Sequence, residues 1–364
     1  MKKIIIIGNG LSAWSVANAF LNKNVQITII GKKKSIFGAQ QLSPNGFKAL
    51  KKLTENEDIK NIIYDIMQFQ INSNNNNKTK NLKNFYFNEF DLKYYSVSRE
   101  MLINLLITNL KNKIKIKEIN KSCVGIIQKK SRKLSVLMDN NELISADIII
   151  GADGVNGTTR KYVCGTTNII TKKVFRGISD DKNKLFLKQK KLELNFSNYG
   201  HFVSYPFINN NKKYINYVFI PNRRFQHSNK ILDNLRSISK FSSINWTGGY
   251  FSFFEDEIQT LHKNNILLFG DAGFSFEPHL AQVGNNIIEY ARYLKFLIDN
   301  NDSYNKIFEN FYINTCKKKR ELKNISNIVG VSFGINTFTK LRNSLISNLS
   351  EQQICNFLKK VWYD

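Results

Sequence analysis

The first thirty residues show two hydrophobic periods in succession. Lys3 to Ile7 is an apolar run with no polar alternation after its first residue, as expected of a parallel strand covered on both faces. Gly8-Asn9-Gly10-Leu11-Ser12-Ala13 follows as a tight turn, and Val16, Ala17, Phe20 and Leu21 then fall on one face of a helix. Val25 to Ile30 supplies the next strand. This order predicts a βαβ unit with a G-x-G-x-x-A turn. Gly8 permits the sharp bend, Gly10 lets a pyrophosphate approach the backbone, and Ala13 lets helix pack on strand. The free N–H groups at the helix start carry partial positive charge. Such a turn suits FAD or NAD, and an ordinary strand-turn-helix is the alternative. The acid that usually ends the second strand and binds ribose is missing. Gly31 stands there, followed by Lys32, Lys33 and Lys34, which suit either a 2′-phosphate or a solvated loop.

The pattern then changes. Short strand-like segments from Asn61 to Tyr95 flank an Asn-rich tract, read as a hairpin tip or an insertion. Ser98 is an N-cap for a helix to Leu110 whose stripe is Leu102, Leu105 and Leu106. Strands are predicted from Ile114 to Lys117, Cys123 to Gln128 and Leu134 to Met138. A buried strand from Ala146 to Ile150 runs into Gly151-Ala152-Asp153-Gly154. Within 172–256, the segments Leu192 to Phe196, His201 to Phe207, Lys213 to Ile220 and Tyr250 to Phe254 read as an antiparallel sheet, with a helix-like stretch from Lys230 to Phe241. Another buried strand, Ile266 to Phe269, leads into Gly270-Asp271-Ala272-Gly273. Helices are expected from about Asn285 to Leu297 and from Tyr304 to Ile328, before a tail ending Val361-Trp362-Tyr363-Asp364. No internal repeat is present.

Composition narrows the classes. At roughly 150 residues per domain, a chain of 364 residues allows about two domains, and its 42% hydrophobic content excludes a wholly disordered protein. Lys and Arg number 54 against 28 Asp and Glu, a formal charge of +26. Lys and Asn crowd every exposed segment, which reads as compositional drift towards A/T-rich codons. The denser clusters Lys32-Lys33-Lys34 and Lys317-Lys318-Lys319-Arg320 keep nucleic acid or anionic lipid open as partners. Cys123, Cys164, Cys316 and Cys355 lie far apart, with no CxxC pair and no His at zinc spacing, as for reduced thiols in a cytosol without a metal site. The apolar run after Met1-Lys2-Lys3 is too short for a signal peptide, and no stretch reaches the roughly 20 apolar residues that span a bilayer. The expectation is a cytoplasmic protein, resting at most on the inner face of a membrane.

Three islands stand in fixed order, each a buried strand ending in a Gly/Asp turn: IIIIGNGLSA, ADIIIGADGVNGTTRKYV and NNILLFGDAGFSFEPHLAQVGNNIIEYA. Together they resemble the FAD-dependent aromatic hydroxylases similar to p-hydroxybenzoate hydroxylase, above all the branch of ubiquinone-biosynthesis hydroxylases and salicylate hydroxylase. GAQQLSPNGFKALKKL, YYSVSREML, VFRGIS, HFVSYPF and the terminal WYD fit the same pattern, so the likeness spans nearly the whole chain. It implies an α/β (α+β) fold in which a Rossmann-like FAD domain (1–60, 96–171 and 257–300) carries an inserted antiparallel-sheet substrate domain (61–95 and 172–256), followed by a helical segment (301–364).

The resemblance also implies roles. Gly8, Gly10, Leu11, Ser12 and Ala13 would serve the FAD pyrophosphate, with Arg99 on the same cofactor. Asp153 and Arg160 would serve both FAD and transient NAD(P)H. Asp271 would meet the ribityl hydroxyls. The turn Pro278, Gln282, Gly284 and Asn285 would offer N–H groups to the flavin pyrimidine edge, which gains negative charge on reduction. His201, Tyr205 and Tyr217 are catalytic candidates on strands facing the substrate, and Arg176 is a candidate for an acidic group. The implied reaction is hydroxylation of a phenolic ring, a polyprenylated quinone precursor among the candidates, by dioxygen through a flavin C4a-hydroperoxide. The chain departs from the family at Phe274 (His in GDAAH), Ala281-Gln282-Val283 (G-Q-G), Glu289-Tyr290 (E-D) and Gly31. Two other functions stay open: a non-hydroxylating FAD oxidoreductase of the same fold, and a basic nucleic-acid- or membrane-binding protein on a decayed flavoprotein scaffold. No W-x-W-x-I-P segment of the flavin halogenases is present. The tail VGVSFGINTFTKLRNSLISNL, amphipathic and basic, either lies on an anionic membrane or covers the FAD domain.

Overall fold

In the computed structural model, which describes residues 1–33, 38–55, 57–75, 78–128, 133–180, 188–228, 244–255, 258–301, 303–334 and 339–363, the all-apolar runs form the middle of a six-stranded sheet. Its order is His262–Lys263, Ile266–Leu268, Ile148–Gly151, Lys2–Ile7, Val25–Ile30 and Lys115–Ile119, parallel except at the short edge hairpin. Ile4 lies between Ile148 and Ile27, and Ile4 to Ile7 are at most 2% exposed, which accounts for a strand with no polar face.

The described helices are α1 (Leu11–Asn18), α2 (Pro44–Thr54), α3 (Arg99–Leu110), α4 (Thr158–Cys164), α5 (Asp271–Phe274), α6 (Val283–Asn300), α7 (Tyr304–Gly334), α8 (Thr339–Asn348) and α9 (Glu351–Tyr363). Helix α1 packs on α3 and α6, and α2 packs along α6. Buried Asn18 joins α1 to α3, donating to the Leu106 carbonyl at 3.0 Å and accepting from Asn109 at 2.7 Å. Ser98 caps α3, its hydroxyl accepting from the Met101 N–H. The stretch from Lys230 to Phe241, the tip of the Asn-rich hairpin, Lys34 and Asp364 lie outside the described residues.

The second large sheet has seven strands in the order Asn245–Phe254, Ile169–Asp180, Lys212–Pro221, Gly200–Asn209, Lys191–Phe196, Gln68–Asn75 and Lys78–Tyr86. It is mixed, not wholly antiparallel as expected: Lys191–Phe196 runs parallel to Gln68–Asn75. The reason is topological, because these strands come from sequence regions more than a hundred residues apart and no turn forces them to alternate. The long strand Ile169–Asp180 was also hidden, since its Lys172-Lys173 pair interrupts the apolar pattern. Helix α7 connects two cores: Phe308 and Phe311 pack with the six-stranded sheet, while Leu322 packs with Tyr205, Phe207 and Trp362 against the second. Helix α8 lies on the outer hairpin strand Lys78–Tyr86, with Asn343 donating to Ser73 at 2.9 Å, so the tail covers the substrate-side sheet rather than the dinucleotide unit.

Candidate cofactor and substrate site

The three Gly/Asp turns touch one another. Gly8 has φ 122°, and a Cβ there would lie 2.2 Å from the Ala152 carbonyl oxygen, so the first and middle turns meet only because residue 8 has no side chain. A Cβ on Gly270 would lie 2.0 Å from Ser12 Oγ, which presses the GD turn onto the start of α1. Gly31, where an acid was expected, has a local cause as well. A side chain there would come within 2.8–2.9 Å of the Gly8–Asn9 peptide, and Asn9 already bonds the Gly31 carbonyl and Trp14 Nε1.

A continuous cavity of about 2230 Å³ runs from these turns to the seven-stranded sheet. Gly8, Gly10, Leu11, Ser12, Arg99, Asp153, Asp271, Pro278 and Gly284 line it, and so do His201, Tyr205, Tyr217 and Arg176. Gly10, Arg99 and Asp271 therefore face one cavity, although 89 and then 172 positions separate them along the chain.

Ala13, Arg160, Gln282 and Asn285 do not reach it. Ala13 is buried where α1 meets the sheet. The Arg160 guanidinium lies 3.0 Å from the centre of the Phe254 ring and donates to the Ala272 carbonyl at 2.8 Å, so it pins α4 to the GD turn. Burial lowers its pKa to about 10. Gln282 donates to Ser43 Oγ and accepts from Asn45, while Asn285 accepts from the Ser43 N–H and donates to the Gln41 and Ala281 carbonyls. Asp153 reaches the cavity, but its carboxylate is already held by the Thr159 N–H and hydroxyl at the start of α4.

Four polar atoms of cavity-lining residues are shut off from solvent and have no hydrogen-bond partner in the structure: Asp271 Oδ1, Gln40 Nε2, Asn216 Nδ2 and His279 Nδ1. Buried polar groups are normally paired, so orphans gathered in one cavity point to a polyhydroxylated or heterocyclic ligand. Burial pushes the Asp271 carboxyl upward, and nearby Arg99 opposes that shift. Tyr205 donates to the Ala39 carbonyl at 3.1 Å, and burial raises its phenol to about 12 against the pull of Arg99 and Arg176. Burial, then the neighbouring His279 and Arg342 side chains, pushes His201 well below the ordinary histidine value. Gln40, Asn216 and His279 were missed from sequence. Only His279 had a signal, its position directly after Pro278.

Two family departures meet each other in the core. Phe274 and Tyr290 pack in a tilted pair with ring centres 4.6 Å apart beside Phe311, away from the cavity, so an aromatic pair stands where the family has His and Asp. Ala281 takes a left-handed backbone, φ 54°, at a position the family gives to glycine, a strain of about 1 kcal/mol that keeps the turn in shape.

No family model matches the sequence. The FAD-dependent monooxygenase ctvC of Aspergillus terreus is 22% identical over 172 residues, 46% of this chain but only 36% of that protein's length. Among solved structures, Klebsiella pneumoniae HpxO complexed with FAD and uric acid superposes with a TM-score of 0.83 at 16% identity, covering 99% of this chain and 96% of that one. A salicylate hydroxylase substrate complex gives 0.76 at 16% identity, covering 100% and 96%. This chain has the fold of the FAD-dependent aromatic hydroxylases.

Proposed function

We propose that this protein is an FAD-dependent monooxygenase that hydroxylates an aromatic, phenolic substrate with NAD(P)H as a transient reductant. The observation that carries the reading is the continuity of the cavity from the glycine turns, with Asp271 Oδ1 unpaired, to a chamber on the seven-stranded sheet. The residues fit FAD: a Cβ on Gly10 or Gly154 would meet no atom within 4 Å, leaving backbone open to a ligand, and Asp271 offers an acceptor that ribityl hydroxyls would satisfy. Gly8, Gly10 and the start of α1 would hold the pyrophosphate and Arg99 a phosphate oxygen. The first turn of α6 at Val283 and Gly284 would hold the pyrimidine edge. Bound FAD, once reduced, supplies the activation of dioxygen from which one oxygen atom enters the ring. The chain's own work is exclusion of water by Phe196, Val203, Phe333 and Ile346, and orientation of an acidic substituent by Arg176.

A ring with a polyprenyl tail, as in quinone biosynthesis, is the preferred substrate. Supporting it, Leu349 and Phe357 line the cavity while 38% and 42% exposed, and Ile328 and Val331 of α7 and Leu341 and Leu345 of α8 are exposed as well. No acid lies between Glu321 and Glu351, which suits contact with an anionic lipid surface. No helix among the described residues is long and apolar enough to cross a membrane.

The test is the visible spectrum of the protein after FAD reconstitution, then NADPH oxidation and product analysis with a panel of phenols. Bound flavin, oxidation stimulated by a phenol and a hydroxylated product are expected. Failure to retain flavin would reject the reading, and flavin reduction that no phenol stimulates would favour the non-hydroxylating alternative.

A further inference from the structure

Pro278 and His279 line the cavity wall with Glu277 directly before them, and the side chains on either side of the proline are joined. His279 Nε2 lies 2.6 Å from Glu277 Oε2, and Lys172 Nζ lies 2.6 Å from the other carboxylate oxygen. The Glu277 carbonyl accepts from Ser326 of α7 at 2.6 Å, so the segment is anchored from its backbone too. Helix α7 comes close because residue 330 is glycine: a Cβ there would lie 2.5 Å from both Cδ2 and Nε2 of His279. That edge of the imidazole is therefore closed off by α7 and the carboxylate. The opposite edge carries Nδ1, buried and unpartnered, on a side chain 4% exposed.

Around it stand rings rather than charges. His201 and Phe333 have ring centres 5.3 and 6.0 Å from that of His279, and Phe196 lies 5.2 Å from Phe333. All four rings line the chamber. With Nε2–H committed to Glu277, Nδ1 presents a bare lone pair in an aromatic pocket. This is the arrangement of a base oriented by a carboxylate.

Resting on the monooxygenase reading, we propose that His279 is the base that takes the substrate hydroxyl proton at Nδ1, with Glu277 its positioning residue. The step is balanced within the site: the O–H bond breaks, its electron pair stays on oxygen as phenolate, and the proton makes an imidazolium held against the Glu277 carboxylate. When the product ring re-forms, the hydrogen on the newly hydroxylated carbon leaves as a proton to water and its C–H electron pair restores the ring. The imidazolium then returns its proton to the same oxygen. The phenolate is the electron-rich form that hydroxylation of a ring requires. The other groups facing the pair are Lys172, which holds the carboxylate, His201 across the pocket, and Arg342, whose charge acts on His201. Burial favours a protonated Glu277, but the hydrogen bonds from His279 and Lys172 outweigh it and hold the carboxyl below its usual range.

The experiment uses the flavin-loaded protein and the three nitrophenol isomers, whose ionisation is read as a difference spectrum without turnover. In the wild type at least one isomer is expected to bind and to ionise at lower pH than it does free. In His279→Gln the ionised fraction of that bound isomer should fall by about tenfold with affinity little changed. Glu277→Gln should give a smaller loss that Glu277→Asp partly restores. Equal ionisation in wild type and His279→Gln, or no nitrophenol bound by the wild type, would overturn the assignment. In turnover with a phenol, His279→Gln should lower kcat by roughly 10²-fold or more and leave KM near its original value. A variant with unchanged kcat and pH profile would refute the dyad while leaving the monooxygenase reading intact. Loss of flavin binding or of phenol-stimulated NADPH oxidation in the wild type would reject that reading instead.

Discussion

Asp271 shows how a single side chain sets two properties against each other. Its Oδ1 is buried without a partner, and burial raises its pKa above the ordinary 3.8, so in the FAD-free protein the ionised form is strained. An acid with a raised folded pKa stabilises the fold less as pH climbs through the unfolded value towards the folded one. Asp271→Asn is therefore expected to stabilise the FAD-free protein at neutral pH and to flatten its stability across that window, as read by urea denaturation. The same variant should weaken FAD retention roughly ten- to a hundredfold, the worth of hydrogen bonds to a charged acceptor. Unchanged cofactor content would show that Asp271 does not hold the ribityl chain. His201 gives the opposite pH signature. Its folded pKa lies well below 6.5, so as pH falls past 6.5 the unfolded chain takes a proton that the buried ring refuses. Stability should drop below that pH with a slope approaching about 1.4 kcal/mol per pH unit. Melting curves of wild type and His201→Gln on either side of 6.5 should differ in this slope, and identical slopes would show the ring is not held neutral.

Between elements, the junction of α2 with α6 sets one wall of the cavity, where Gln40 meets Gly284. A Cβ on Gly46 would lie 2.0 Å from Asn285 Oδ1, and Asn285 in turn holds the Ser43 N–H and the Gln41 carbonyl. The side chain expected at the cofactor is thus the fastener that sets the first turn of α6 beside Gln40. Gly46→Ala should cost about 1–3 kcal/mol by overpacking, and the combination with Asn285→Ala should be less destabilising than the sum of the single changes. Additive losses in chemical denaturation would show that the two residues do not share this contact. Phe274 and Tyr290 teach a related lesson. Each looked like separate damage to a cofactor motif, yet they face each other in the core and leave the cavity wall untouched.

Across the molecule, the exposed leucines of α8 and the absence of acids from 322–350 predict binding to anionic vesicles that weakens with salt. Leu341→Asp with Leu345→Asp should abolish co-sedimentation with vesicles containing phosphatidylserine while leaving flavin content unchanged. Equal sedimentation with neutral vesicles, or none with either, would remove the membrane contact. The architecture was legible where local physics sufficed. Ile4 to Ile7 has no polar face, so it had to be a covered strand; Ser98 had to cap a helix; and each glycine turn marked where a buried strand ends. A one-dimensional pattern states what each segment needs but not which distant segment satisfies it. The parallel join of Lys191–Phe196 with Gln68–Asn75, the packing of Phe274 against Tyr290, and the closed edge of His279 against Gly330 arise from contacts between remote positions. Periodicity could not foretell them, because burial and unpaired lone pairs exist only once those segments have come together.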